Sequence, residues 1–189
     1  MKVIGITGTL CSGKGVVKDL LSRKLNCYTV SLSSIIRAEL ERKQKDFNRK
    51  ILQDQGNELR RKYGADILAR LAIDYMQRDK EAIIIDGIRN PAEVEYLREK
   101  FGKNFVLIAV DAPKKIRFER MVKRARKDDP KTWEEFLELD ERDQGKGEPE
   151  YGQQVRKCIE QADFLIMNDG SFEDLEKKVN EIILKIRSL

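Results

Sequence analysis

Five short apolar runs punctuate the chain: Val3 to Thr7, Cys27 to Ser31, Ala82 to Asp86, Phe105 to Asp111 and Phe164 to Met167. They read as strands. Between them the apolar positions change to helical spacing, as in Val17, Leu20, Leu21 and Leu25. The last stretch puts Phe172, Leu175, Val179, Ile182, Ile183 and Ile186 on one helix face. Asn90-Pro91-Ala92-Glu93 reads as an N-cap, a first-turn proline and a reach-back Glu. Thr132-Trp133-Glu134-Glu135 and Ser171-Phe172-Glu173-Asp174 read as two more helix starts. Strands alternating with helices predict an α/β fold whose parallel sheet is covered on both faces. Two stretches break the alternation. Ser33 to Arg78 reads as helical throughout, with breaks expected near Gly56 and Gly64. Arg124 to Gly152 is charged and contains the turn-rich Gln144-Gly145-Lys146-Gly147-Glu148-Pro149. Both are candidates for parts that move over a site.

At 189 residues the chain is expected to form one domain with an insert, and 40% apolar residues suffice for its core. No apolar run approaches membrane-spanning length and the N-terminus runs straight into a strand, so a cytoplasmic protein without a membrane partner is expected. Cys11, Cys27 and Cys158 form no metal-like pair. Histidine is absent, which removes His-based acid–base chemistry, Ser-His triads and the commonest metal ligand. The net charge of +5 is spread among acids rather than clustered with aromatics. That pattern favours a small phosphorylated ligand over a nucleic-acid groove.

One motif sharpens the picture. Gly8-Thr9-Leu10-Cys11-Ser12-Gly13-Lys14-Gly15 follows the first apolar run and fits G-x-x-x-x-G-K. Glycines let successive N–H groups curl around phosphates, and a helix starting at Gly13-Lys14 would aim its positive dipole end at them. Lys14 would reach the outer phosphates. Gly15 stands where Ser or Thr usually helps hold Mg²⁺, and Val16 offers no hydroxyl either. Cys11 lies inside the loop, where the N–H groups would lower its pKa, although a small loop side chain is the plainer reading.

Asp86 ends a predicted strand beside this loop and suits Mg²⁺ held through water. Asp111 also ends a strand, but Asp111-Ala112-Pro113 reads equally as a helix start. Phosphoryl transfer needs alignment of two anionic substrates and neutralisation of the moving group, which suits arginine. Arg37, Arg60, Arg89, Arg120, Arg124 and Arg142 are the candidates. Arg89, three residues past Asp86, is the most telling.

On these residues the chain resembles small-molecule kinases of the nucleoside monophosphate kinase group. Gly8 to Gly15 is similar to the adenylate-kinase loop, which also carries Gly after Lys. Ser31-Leu32-Ser33-Ser34-Ile35-Ile36-Arg37 resembles the segment whose Arg grips the acceptor phosphate. Asp86-Gly87-Ile88-Arg89 resembles the second acceptor-binding Arg, and Glu119-Arg120-Met121-Val122-Lys123-Arg124 the entry to the lid; Arg142 would be a lid arginine. Ile4 to Gly8 and Ala162 to Ser171 resemble dephospho-CoA kinases, whose acidic segment after the second strand is missing here. Asp86 to Glu95 and Gly56 to Arg60 resemble archaeal nucleotide kinases and the kinase-like part of some deoxycytidylate deaminases, without a zinc motif.

The resemblance implies a three-layer P-loop kinase fold with a parallel five-stranded sheet, a helical acceptor-binding insert and a lid. The core would be residues 1–32, 80–123 and 153–189, the insert about 33–79 and the lid about 124–152. It implies ATP and Mg²⁺ as cofactors, with Gly8, Thr9, Leu10, Cys11, Ser12, Gly13, Lys14, Gly15 and Val16 holding the nucleotide. Ser31, Arg37, Arg60 and Arg89 would bind a small-molecule nucleotide acceptor. Lys14, Arg120, Arg124 and Arg142 would act on the transferred group. The expected activity is phosphoryl transfer to a nucleoside monophosphate. Dephospho-CoA is an alternative acceptor, and a nucleotide-binding switch or assembly ATPase an alternative class. Monomer and homodimer are both left open.

Overall fold

A computed structural model describes residues 1–44, 48–77, 79–126 and 129–188. The expected helical stretch and lid therefore include residues 45–47, 78, 127 and 128, which lie outside the described residues.

The five apolar runs form strands β1 (Lys2–Gly8), β2 (Cys27–Ser31), β3 (Ala82–Asp86), β4 (Phe105–Asp111) and β5 (Phe164–Met167). Among the described residues they make one parallel sheet in the order β2-β3-β1-β4-β5. All five therefore end along the same side of the sheet, with β1 at its centre. Strand register brings Ile6 level with Asp86 and Ile108.

The period-two geometry of strands sorts their side chains onto two faces. Ile4, Ile6, Ile84, Val106, Ile108, Val110 and Ile166 pack against α1 (Lys14–Lys24) and α9 (Phe172–Ser188). Val3, Ile83, Ile85, Phe105 and Leu107 pack on the other face. There they meet α2 (Leu32–Arg42), α4 (Ile67–Asp74), α5 (Pro91–Phe101) and α8 (Val155–Glu160), through Ile36, Leu68, Leu97 and Cys158 among others. Each such fully buried aliphatic side chain contributes roughly 1.5–3 kcal/mol. A smaller cluster joins α6 (Lys114–Arg124) to α7 (Trp133–Asp143): Phe118, Trp133 and Phe136 stack with ring centroids 5.1–5.6 Å apart.

Both capping boxes form, Asn90 with Glu93 and Thr132 with Glu135. Ser171 and Asp174 exchange the equivalent bonds at the start of α9. The break expected at Gly56 does not occur: α3 (Arg49–Tyr63) runs through it and stops at Gly64. Gly56 has a packing reason instead, since a Cβ there would stand 3.1 Å from Ile36 Cδ1. The turn after α7 is tied down, with Glu148 accepting from Arg142 Nε at 2.7 Å and from Asn57.

Candidate functional site

The glycine loop leaves the centre of the sheet and is fastened at both ends. Gly8 (φ 144°) lies so close to β4 that a Cβ would overlap the Val110 carbonyl. Thr9 donates its hydroxyl to Asp111 Oδ1 at 2.6 Å, and the Ala112 N–H shares that oxygen at 2.8 Å. Asp111 thus anchors the loop and does not cap α6, whose N-cap is Pro113. At the far end Asn168 donates its amide to Ser12 O at 2.8 Å, and a Cβ on Gly13 (φ 101°) would strike that amide. Gly13 is also the N-cap of α1 and supplies no side-chain cap, so the helix's positive end meets the loop bare. Cys11 adopts φ 59°, a left-handed conformation a non-glycine residue takes only under constraint.

Lys14 Nζ donates to the Gly8 and Thr9 carbonyls, both at 2.7 Å, which arches the loop over its ammonium. Burial, followed by repulsion from Arg89, lowers its pKa from 10.5 to about 8. Burial acts the opposite way on Cys11 and raises the thiol, outweighing Arg124 and Arg49. This direction is opposite to the lowering that nearby N–H groups alone would give.

A cavity of about 560 Å³ opens beside Lys14. Leu10 to Val16 line one wall. α2 contributes Ser33, Ile36 and Arg37, and α3 contributes Arg49, Leu52, Gln53, Gly56 and Arg60. Arg89, Gln153, Arg120, Arg124, Arg126 and Asp129 also line it. Eight cationic side chains face two carboxylates, Asp19 and Asp129. Such a surface concentrates an anion.

The sequence-predicted residues fall into three groups. Leu10 to Val16, Arg37, Arg60, Arg89, Arg120 and Arg124 line this one cavity. Gly8 and Thr9 support it from below. Ser31, Asp86 and Arg142 are not part of its lining. The Ser31 hydroxyl lies 3.0 Å from that of Ser33, which does line it. Asp86 is half-buried at the end of β3 and near enough to Lys14 to favour its charged form. Arg142 bonds Glu148 and Asp54, each at 2.7 Å.

The arginines also differ in how they are held. Arg60 is buried and paired with Glu93, with Nε to Oε1 at 2.9 Å. Glu93 Oε2 accepts the Arg89 backbone N–H at 2.8 Å, so one capping carboxylate positions two cavity arginines. Arg89 Nη1 donates to Gln153 Oε1 at 3.1 Å and to Asp143. Arg117, also on α6, is internal: it pairs bidentately with Asp140 and donates to Leu10 O at 3.1 Å. Arg120 reaches Ser12 O and Asn168 Oδ1, each at 3.4 Å. Arg124 grips Asp129 at 2.9 and 2.6 Å. Burial pushes the Asp129 carboxyl up, but the hydrogen bonds and charges of Arg124 and Arg49 hold it below the usual range.

Sequence reasoning missed Arg49, Gln53, Gln153, Asp129 and Asn168. Arg49 follows the helix N-cap Asn48, so a cap signal was available there. The others carry no pattern of their own.

Comparison with known proteins gives consistent results. A family model described as an AAA domain, AAA_18, matches residues 4–145. A UPF0200/UPF0201 protein of Archaeoglobus fulgidus is 35% identical over 189 residues, covering 98% of this chain. The chain spans only 56% of that relative's length. A UPF0200 protein of Pyrococcus horikoshii is 31% identical and is covered to 98%, as is this chain. Among solved structures, TT1252 from Thermus thermophilus superposes with a TM-score of 0.62 at 20% identity, covering 97% of both chains. Shikimate kinase from Aquifex aeolicus gives 0.54 at 20% identity, covering 98% of this chain and 96% of that one. A gluconokinase from Sinorhizobium meliloti gives 0.57 at 11%, covering 98% and 93%. At these identities the likeness is one of fold, a three-layer P-loop kinase fold.

Proposed function

We propose that this chain, which belongs to the AAA_18 family of AAA domains and to the UPF0200 proteins, transfers the γ-phosphoryl group of ATP to a nucleotide-like acceptor, a nucleoside monophosphate. One observation carries the reading: a cavity lined by eight cations opens directly onto Lys14 and the bare end of α1. Two anionic substrates need such a place to meet.

In this reading the loop from Gly8 to Val16 cradles the ATP phosphates and Lys14 draws charge from the transferred group. Arg120 and Arg124 flank that group from α6. Arg37 and Arg89 hold the acceptor phosphate, with Arg60 behind them, steadied by Glu93. Arg142 joins only if it leaves Glu148 and Asp54. The acceptor oxygen is itself the nucleophile, so no histidine is required. Residues 33–79 serve as the acceptor-binding insert and 124–152 as the lid, on a core of 1–32, 80–123 and 153–189.

ATP transfer in this fold implies Mg²⁺, and the donors around the loop limit how it is held. Thr7 Oγ1 donates to Ile88 O at 2.8 Å, and Thr9 and Asp111 are bound to each other. Gly15 and Val16 bear no hydroxyl. No three His, Cys, Asp or Glu converge among the described residues. The Ser12 hydroxyl, buried without a hydrogen-bond partner among the described residues, and Asp86 remain, and Asp86 fits a water-mediated hold on an ion whose inner ligands are phosphate oxygens. When bound, the ion would neutralise charge on the β- and γ-phosphates.

Measuring ADP release from ATP across nucleoside monophosphates and dephospho-CoA tests the reading. Release that depends on a monophosphate, and is lost in Lys14→Ala, is the expected result. Activity with dephospho-CoA alone would favour a second reading, supported by Asn168: it joins the Ala162–Ser171 segment to the loop. ATP binding without acceptor-dependent release would point to a switch or assembly ATPase.

A further inference from the structure

An amphipathic helix ordinarily buries apolar residues on its inner stripe. α3 departs from this: Ile51, Leu52 and Leu59 are only partly buried against the core, and the fully buried positions are Gln53, Gln55, Gly56 and Arg60. Three of them, Gln53, Gly56 and Arg60, lie at i, i+3 and i+7 and line the cavity. A polar stripe buried against a cavity is a feature of binding, because it contributes little to the core and costs desolvation.

Gln53 is the informative member. It is 6% exposed, and its Nε2 donates to Asp143 Oδ1 at 3.4 Å. A carboxylate only accepts, so this contact fixes which end of the amide faces Asp143. The carbonyl Oε1 is the other end, and it is buried with no hydrogen-bond donor among the described residues. Asp143 Oδ2 is likewise buried without one. Gln53 is one of the residues lining the cavity, among eight cationic side chains, whereas Asp143 is not part of that lining. A phosphate would be repelled from this corner, whereas a neutral group bearing N–H or O–H would satisfy it. Leaving such an acceptor unmatched weakens binding by about fivefold to a hundredfold.

We infer that Gln53 is the specificity-determining residue of the acceptor site, its Oε1 accepting a hydrogen bond from an N–H or O–H on the non-phosphate part of the acceptor. The inference rests on the phosphotransfer reading above and extends it. Asp143 positions the amide, and Arg89, bonded to the same Asp143 oxygen, brings the acceptor phosphate within reach of this corner. The acceptor class is therefore a phosphate ester whose remainder offers a donor: an exocyclic amine, a ring N–H or a sugar hydroxyl.

The test compares wild type with Gln53→Met, which keeps length and removes the carbonyl. The probes are AMP, CMP, GMP, UMP, their 2′-deoxy forms and ribose 5-phosphate. Acceptor-dependent ADP release and thermal shift by each acceptor alone are both read. The expected result is a loss of about tenfold in kcat/KM for the preferred acceptor, a much smaller loss for the poor ones, and an unchanged KM for ATP. Collapse of the base ranking would place the donor on the base, and collapse of the ribo/deoxy ratio would place it on the sugar. A uniform loss across all probes, with the ranking intact, would overturn the inference alone, because Gln53 would then act only through Asp143 and packing. Wild type that neither binds nor phosphorylates any probe would overturn the phosphotransfer reading and this inference together.

Discussion

The loop after β1 and the arginines lining the same cavity are built by opposite means. The loop is held by backbone: glycines at Gly8 and Gly13 admit close contacts, and Thr9, Asp111 and Asn168 pin its ends. The arginines are held by side-chain ion pairs: Arg60 by Glu93, Arg89 by Asp143, Arg124 by Asp129. A backbone cradle has one geometry. An arginine paired with a carboxylate has two states, bound to its own partner or to a ligand's phosphate, and can exchange between them. In the proposed reading, the fixed part would receive the nucleotide and the exchangeable part the acceptor.

The comparison breaks first at Arg117, which lies on α6 with the cavity arginines but is built like the loop. Removing one member of a buried pair leaves the other charge unmatched, at about 3–5 kcal/mol. Arg117→Met should therefore lower unfolding stability by that amount in urea denaturation, and loosen the loop through the lost bond to Leu10 O. A change below about 1 kcal/mol would show that α6 and α7 are not joined through this pair. Next is Lys14→Ala, with turnover expected to drop by about 10²–10³ in an ADP-release assay, the scale for losing one preorganised charge-stabilising group. Stability should not fall with it. The buried ammonium has its pKa depressed, so it is a destabilising charge in the absence of phosphate.

Arg89→Lys sharpens the contrast between the loop and the arginines. It keeps charge but loses the planar fork, and should raise the acceptor KM about tenfold while leaving that of ATP within about twofold.

Lys14 also makes the loop pH-sensitive. Its pKa lies near 8 in the folded protein, below its ordinary 10.5. Below 8 it is charged and attracts phosphate. Above 8 it must take up a proton on binding, so ATP affinity should fall, by at most about tenfold per pH unit. Isothermal titration from pH 7 to 9.5 in two buffers of different ionisation enthalpy would measure both the decline and the proton uptake. The sign for stability is the reverse: the unfolded chain holds more protons between 8 and 10.5, so the contribution of Lys14 to stability rises with pH there. The smallest effect belongs to the rim. Asp54→Asn removes a half-exposed partner of Arg142 and should change stability by less than about 1 kcal/mol in a melting experiment.

The sheet and the loop were legible because their physics is local. Consecutive β-branched residues specify Ala82–Asp86, and N-cap and reach-back residues three positions apart specify the starts of α5 and α7. The family resemblance ordered these elements and pointed to Arg37, Arg89 and Arg120. What stayed hidden depends on pairing across the chain. Asp143 meets Arg89 over 54 positions and Gln53 over 90, and no spacing rule reaches that far. Arg60 and Arg117 read the same as Arg124 in sequence, although only their partners decide which arginines are bound in the interior. Gly56 was misread as a break because a helix normally avoids glycine, whereas here it relieves a contact with Ile36.

The central position of β1 has a consequence in time. Its two neighbours in the sheet, β3 and β4, begin at Ala82 and Phe105. The Thr9 hydroxyl must await Asp111, 102 positions further along. During synthesis the glycine loop emerges well before β4 and lacks its Asp111 anchor until 102 further positions have followed Thr9. Contacts this distant in sequence slow folding, since the closure entropy must be met before they form. A nascent chain interrupted before β4 would thus carry the complete loop sequence and no working phosphate cradle.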